Sequence, residues 1–277
     1  MKKHLSTILL FLIFIIGLSL LLYPSFSDWW NSMHQSRVIM DYVNLVQELD
    51  DDEYEHILEA ARVYNESLLQ RANGYTSTPE QKAQYPQLLN IGGNGVMGYV
   101  DVPSINVSLP LYHGTAESVL QVAIGHLDWS SLPVGGESTH CVVSGHRGLP
   151  RAKLFTNLDR LREGDLFYVR VLDELLTYQV DQILVVEPQD VDSLMIDKGK
   201  DYCTLFTCTP YGINTHRLLV RGHRVENPEE ELAHHIISEA IVIKPVVVAP
   251  LVALPMLLVL LIWILIPKRR YNRRDDW

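Results

Sequence analysis

Two long uncharged stretches, one towards each end, constrain this chain more than any motif does. Residues 5–23 form a 19-residue run without a charge, preceded by Lys2 and Lys3. Residues 246–266 form a second run of 21, followed by Lys268, Arg269, Arg270, Arg273 and Arg274. A helix needs about 20 apolar residues to cross the hydrocarbon core, so each run is long enough. The basic clusters lie on the outer side of each run, which places both tails in the cytoplasm and residues 24–245 outside the cell. The first run exceeds the ~7–15 residues of a cleaved signal core, so an anchor is expected there despite the small residues at Ser25-Phe26-Ser27. Pro250 and Pro255 in the second run suit a membrane helix better than a buried soluble one.

Between the tails, 16 Lys and Arg face 31 Asp and Glu, a net charge of −15 for residues 24–245. So acidic a segment is a poor ligand for a phosphate backbone, and nucleic acid is excluded as a partner. The cysteines number three, Cys141, Cys203 and Cys208, so at least one thiol is free in an exported domain. No Cys/His cluster has the spacing of a metal site, and no metal is expected.

Residues 34–72 carry apolar positions at helical spacing: Val38, Tyr42, Leu45 and Leu49, then Ile57, Ala60, Ala61, Tyr64 and Leu68 after an acidic stretch at 50–53. Residues 73–95 are rich in Gly, Pro, Ser, Thr and Asn and read as an irregular connection. The pattern then turns to short strands punctuated by turns, at 97–102, 105–112, 139–144, 165–172, 175–186, 202–207 and 217–225, with a short helix at 115–123. A helix at 226–242 follows.

Three strand ends stand out. Val142-Val143-Ser144-Gly145-His146-Arg147-Gly148 delivers a glycine-flanked histidine. Thr204-Leu205-Phe206-Thr207-Cys208-Thr209-Pro210 ends on a cysteine, and Arg217-Leu218-Leu219-Val220-Arg221-Gly222 opens on an arginine. A thiolate is a strong nucleophile and a nearby cation favours it. A histidine can pass a proton to a leaving amine, and a planar guanidinium can hold a developing oxyanion. Each residue alone has a plain structural reading. Cys141 and Cys203 read as small buried side chains, and Cys203, five positions before Cys208, points to the other face of its strand. The 62-residue gap from His146 to Cys208 does not by itself associate them.

The stretch TLFTCTPYGINTHRLLVRG at 204–222 resembles the TLxTC signature and the following arginine strand of sortases, in the form typical of class C, the pilin-polymerising branch. The similarity extends through NGVMGYVDVP (94–103), LPLYHGT (109–115), GHLDWSSLPVGGE (125–137) and VSGHRGLPRAKLF (143–155). It implies a mainly β fold, a closed eight-stranded barrel with short helices, an N-terminal helical segment and a transmembrane helix at each end. The expected division is 1–23 for tail and first anchor, 24–89 for a helical stalk with the lid position, 90–228 for the catalytic barrel, 229–245 for a helical connector, 246–266 for the second span and 267–277 for a basic tail. The family's catalytic trio falls on His146, Cys208 and Arg217, with Thr207 supporting substrate or oxyanion. The implied reaction cuts an LPxTG-like sorting signal between Thr and Gly through a thioester on Cys208 and passes the acyl group to a pilin lysine, with no cofactor. A housekeeping sortase that anchors proteins to cell-wall peptide, and a non-enzymatic pilus-base scaffold, are the competing readings. An L,D-transpeptidase is excluded, because its arginine follows cysteine by two residues and here the offset is nine. Class C enzymes commonly carry an Asp-Pro-aromatic lid before the barrel. Residues 73–80 lack it, and Asp28-Trp29-Trp30 lies too near the anchor to serve, so an ungated site is expected.

Overall fold

The computed structural model describes residues 2–71, 76–149 and 152–229. The second apolar run, most of the connector at 229–245 and the basic tail lie outside the described residues. The chain divides into two compact units, one of Met1–Phe26 with Glu239–Trp277 and one of Ser27–Ser238. Within the first, residues 2–26 belong to helix α1 (Lys2–Gln47), whose Leu9, Leu10, Ile13, Ile16, Leu20 and Leu21 are all exposed. Among the described residues this is the one helix long and apolar enough to cross a membrane.

The helical region expected at 34–72 is two helices. The chain leaves α1 after Gln47, and Asp50 caps the next helix, α2 (Asp51–Leu68), by accepting from Glu53 N at 2.8 Å. Asp51, Asp52 and Glu53 fill its first turn, where carboxylates complement the positive end of the helix dipole. The acidic stretch is thus a helix start. The region expected to be irregular also contains a helix, α3 (Pro79–Gln84). Thr78 and Gln81 form a reciprocal capping box around it and Pro79 occupies its first turn.

Eight strands close into a barrel: β1 (Val96–Val102), β2 (Val107–His113), β3 (Ile124–His126), β4 (Thr139–Ser144), β5 (Leu166–Val171), β6 (Glu174–Val186), β7 (Asp201–Thr209) and β8 (His216–Val225), in the order β1-β2-β3-β4-β7-β8-β6-β5. Seven match strands expected from the pattern. The eighth, β3, has only three residues and no legible alternation of its own, yet it is needed to join β2 to β4. The expected helix before it shrinks to α4 (Glu117–Leu120).

The barrel is filled by Phe155, Phe167, Tyr178, Leu205, Val220 and their neighbours, all buried. Phe167 and Tyr178 stack with centroids 5.6 Å apart. Tyr42 of α1 and Leu58, Ala61, Tyr64 and Leu68 of α2 join the same core. Residues expected as a stalk therefore pack, from Ser27 onward, as part of the barrel's own unit. Tyr42 fixes that packing: its hydroxyl donates to Met97 O at 2.9 Å and accepts from Leu172 N at 2.7 Å.

Candidate active site

Strands β4 and β7 run parallel, from Thr139 facing Asp201 to Ser144 facing Phe206. Beyond the last strand pair the register continues. Gly145 N donates to Phe206 O at 3.0 Å. Thr207, buried, donates its hydroxyl to Gly145 O at 2.7 Å, and Arg147 Nη1 donates to Thr209 Oγ1 at 3.2 Å. His146 and Cys208 are the residues between these two bonds. Strands β7 and β8 are antiparallel, and Cys208 faces Arg217 directly. Backbone pairing thus carries histidine, cysteine and arginine to one end of the barrel.

Strand alternation decides which way they look. Cys203 and Leu205 are buried in the barrel core, and Thr207 is buried in step with them. Cys208 shares the opposite, outer face with Thr204 and Phe206 and is half-buried. On this outer face Val142, Leu194 and Leu219 form a small apolar cluster, against which Leu127, Trp129, Leu184, Val186 and Phe206 pack partly exposed. An apolar strip therefore leads along the sheet to the thiol. Cys141 and Cys203 face each other across β4 and β7, both buried on the inner side.

His146 is partly exposed, and its Nε2 lies 3.6 Å from Glu117 Oε2 of α4. Glu117 is a site residue that the sequence reading passed over. Its helix is legible, but only the tertiary fold brings its carboxylate to the imidazole. A hydrogen bond from Gln121, then the imidazole, holds the Glu117 carboxyl below its ordinary range. The Arg217 guanidinium donates through Nη1 to Asn214 O and His216 O, both at 3.1 Å. It is held to the loop beside the thiol by two backbone carbonyls.

The histidine loop is braced from several sides. Arg147 Nη2 bonds Asp159 at 2.5 Å, and the Tyr211 ring closes against Gly148, with Arg147 5.9 Å from its centroid. Phe155 N returns to His146 O at 3.1 Å. From α1, Asp28 accepts from Lys153 N at 3.0 Å and pairs with Lys153 Nζ at 3.2 Å. Proximity to the anchor does not keep Asp28 away from the site's loop.

The lid position is occupied by a segment fastened elsewhere. Ser77 Oγ reaches Asp128 O at 3.4 Å, and Gln81 bonds Ser67 and Arg71. Tyr85 is buried, with its hydroxyl 3.0 Å from His126 Nδ1 and accepting from Gly114 N at 2.9 Å. These bonds hold residues 77–85 to α2, to β3 and to the loop after it. Residues 73–75 lie outside the described residues.

Residues 100–225 match the family model described as Sortase domain. Among solved structures, sortase C1 from Streptococcus agalactiae is 53% identical, covering 69% of this chain and 100% of that one, with a TM-score of 0.67. A Streptococcus pneumoniae sortase C, whose structure was described for its pilin substrate specificity, is 44% identical over 69% of this chain and 97% of that one, with a TM-score of 0.62. Sortase A of Bacillus anthracis is 24% identical, covering 81% of this chain and 96% of that protein.

Proposed function

Because the chain belongs to the sortase family, whose members are cysteine transpeptidases, and within it to class C, we propose that it joins pilin subunits through a thioester on Cys208. The observation that carries this reading is the bracketing of His146 and Cys208 by the bonds Thr207–Gly145 and Arg147–Thr209, with Arg217 across the next strand pair.

In the first half-reaction the Cys208 thiolate attacks the threonine carbonyl of an LPxTG-like signal seated on the apolar strip of Trp129, Val186 and Phe206. The tetrahedral oxyanion is held by Arg217, and Thr207 keeps the cysteine strand in register. The Thr–Gly bond then breaks, with His146 giving its proton to the departing glycine amine, so the enzyme holds a thioester and His146 is neutral. In the second half-reaction a pilin lysine, losing its proton to His146, attacks the thioester. An isopeptide bond forms and the thiolate is restored. Holding one oxyanion donor in place is worth about 10²–10³ in turnover. Glu117 supports His146 weakly, as befits a solvent-exposed pair 3.6 Å apart.

The same reading keeps residues 90–228 as the catalytic barrel, places it outside the cell, and assigns 246–266 as a second membrane span. Housekeeping attachment to cell-wall peptide uses the same trio and differs only in the amine. The class C structures, at 44–53% identity, favour the pilin lysine over it. The test is to incubate the full chain in detergent with sorting-signal peptides, pilin domains and wall-type peptide amines, and to sequence the junction by mass spectrometry. A Thr-to-Lys isopeptide supports the proposal. Transfer only to the wall-type amine would contradict it.

A further inference from the structure

Hydrogen bonds of three residues, Asp28, Gln35 and Tyr42, fix how helix α1 lies along the barrel. Near its start within the barrel's unit, Asp28 holds Lys153 of the loop that carries His146. About two turns further on, Gln35 Nε2 donates to Val122 O at 2.6 Å. Val122 precedes β3, whose Gly125 faces Ser144 beside the histidine. Towards the other end, Tyr42 bonds Leu172 and Met97, at the pole where β5 turns into β6. The helix therefore enters at the catalytic end of the barrel and leaves at the opposite pole. From Asp28 to Tyr42 it covers about 21 Å.

The apolar run ends at Tyr23, five residues before Asp28. Even fully extended, five residues span no more than about 18 Å. If residues 5–23 cross the bilayer, the chain is tethered to it by the catalytic end of the barrel, whatever the path between Tyr23 and Asp28.

The composition of that end agrees with such a position. Of the nine large apolar side chains left exposed among the described residues between 27 and 229, five lie there: Trp30, Val122, Val185, Tyr211 and Ile213. Val185 is on β6 one residue from the pair Val186–Arg217. Tyr211 and Ile213 are on the β7–β8 loop beside Cys208 and are 59% and 68% exposed. Lys153, 72% exposed in its side chain and paired with Asp28, is on the histidine loop of the same end. Tryptophan and tyrosine favour the headgroup layer, and lysine favours anionic lipid. The opposite pole, where Thr139 faces Asp201, exposes Leu69 and Glu137 along one cleft, and exposed carboxylates stand at both ends, with Glu117 and Glu187 at the catalytic one.

We propose that the catalytic end of the barrel is a bilayer-docking surface, with Tyr211 and Ile213 against the headgroups and the pole at Glu137 turned away. This rests on reading residues 5–23 as a membrane anchor. It means that the thiol works at the membrane surface, on signals presented there.

The test uses the full chain carrying Cys208→Ala, with Ile213→Cys, Val185→Cys or Glu137→Cys labelled by a nitrobenzoxadiazole probe. Each is reconstituted in phosphatidylcholine–phosphatidylglycerol vesicles with a nitroxide on the lipid headgroup. Labels at 213 and 185 should shift to the blue and lose fluorescence to the nitroxide, while the label at 137 does neither. Equal quenching at 137, or a blue shift at 213 without quenching (burial against a protein), would overturn the proposal. Alkaline carbonate extraction of the same vesicles separates the two readings. A chain that stays in the membrane with 213 unquenched sinks the proposal alone. A chain that washes off sinks the anchor and the proposal together.

Discussion

The hydroxyl of Thr207 donates to the carbonyl of Gly145 at 2.7 Å, and so ties the residue before the cysteine to the residue before the histidine. Both partners are buried, so nothing else can substitute cheaply for this bond. Thr207→Val keeps the shape and removes the donor, leaving a buried carbonyl unpaired at a cost of about 1–3 kcal/mol. Urea unfolding should show that loss, and turnover should fall with it as the thiol and imidazole lose their register. Thr207→Ser should restore both. A valine variant with wild-type stability and rate would show that the bond is incidental.

Arg217 is predicted to matter for the reaction and little for the fold, because among the described residues its guanidinium bonds only local carbonyls, those of Asn214 and His216 around the start of its own strand. Arg217→Lys keeps the charge and loses the planar fork. Turnover should drop by about 10²–10³, the usual worth of one oxyanion donor, while the melting temperature stays near that of the wild type. Full activity in the lysine variant would remove Arg217 from the mechanism.

The segment in the lid position should not gate the thiol. Its bonds run from Ser77, Gln81 and Tyr85 to Asp128, Ser67, Arg71 and His126. Loosening it with Ser77→Ala, Thr78→Ala and Gln81→Ala together should leave the alkylation rate of Cys208 unchanged. A large acceleration would mean that the segment covers the site.

Acid should destabilise the barrel through a histidine remote from the reaction. His140 is buried between Met195 O at 2.9 Å and Thr204 Oγ1 at 2.7 Å, and burial pulls it from an ordinary 6.5 down to about 4. Between those values the unfolded chain binds a proton that the folded one refuses. Stability is therefore full above about pH 6.5 and declines as the pH falls towards 4, by roughly 3 kcal/mol in all. Burial lowers His113 too, with the same sign. Unfolding midpoints at pH 7 and pH 4.5 should differ less in His140→Gln than in the wild type. An unchanged difference would assign the acid sensitivity elsewhere.

Much of the site was legible as motifs, yet the relation between them was not. The 62 residues from His146 to Cys208 look arbitrary in the sequence. In the barrel they are the register of β4 against β7, constant from Thr139–Asp201 through Cys141–Cys203 to Arg147–Thr209. A parallel pairing leaves no local trace, because the chain between the strands is long and its length is free. The inward position of Cys203 did follow from alternation, since faces repeat every two residues wherever a strand is placed. Thr78-Pro79-Glu80-Gln81 carried a readable helix start that turn-forming neighbours obscured. The Asp50 cap was equally readable, hidden inside what looked like one helical stretch. The strand β3 and the approach of Glu117 to His146 belong to tertiary structure alone.

Covalent catalysis by Cys208 is the claim on which the rest depends, and intact mass after mixing with an LPxTG-like peptide tests it most directly. The full chain, Cys141→Ala and Cys203→Ala should each gain the mass of the peptide truncated after threonine, releasable by hydroxylamine as expected of a thioester. Cys208→Ala should gain nothing and cleave nothing. An adduct that survives in Cys208→Ala, or that disappears only when Cys141 or Cys203 is replaced, would contradict the account.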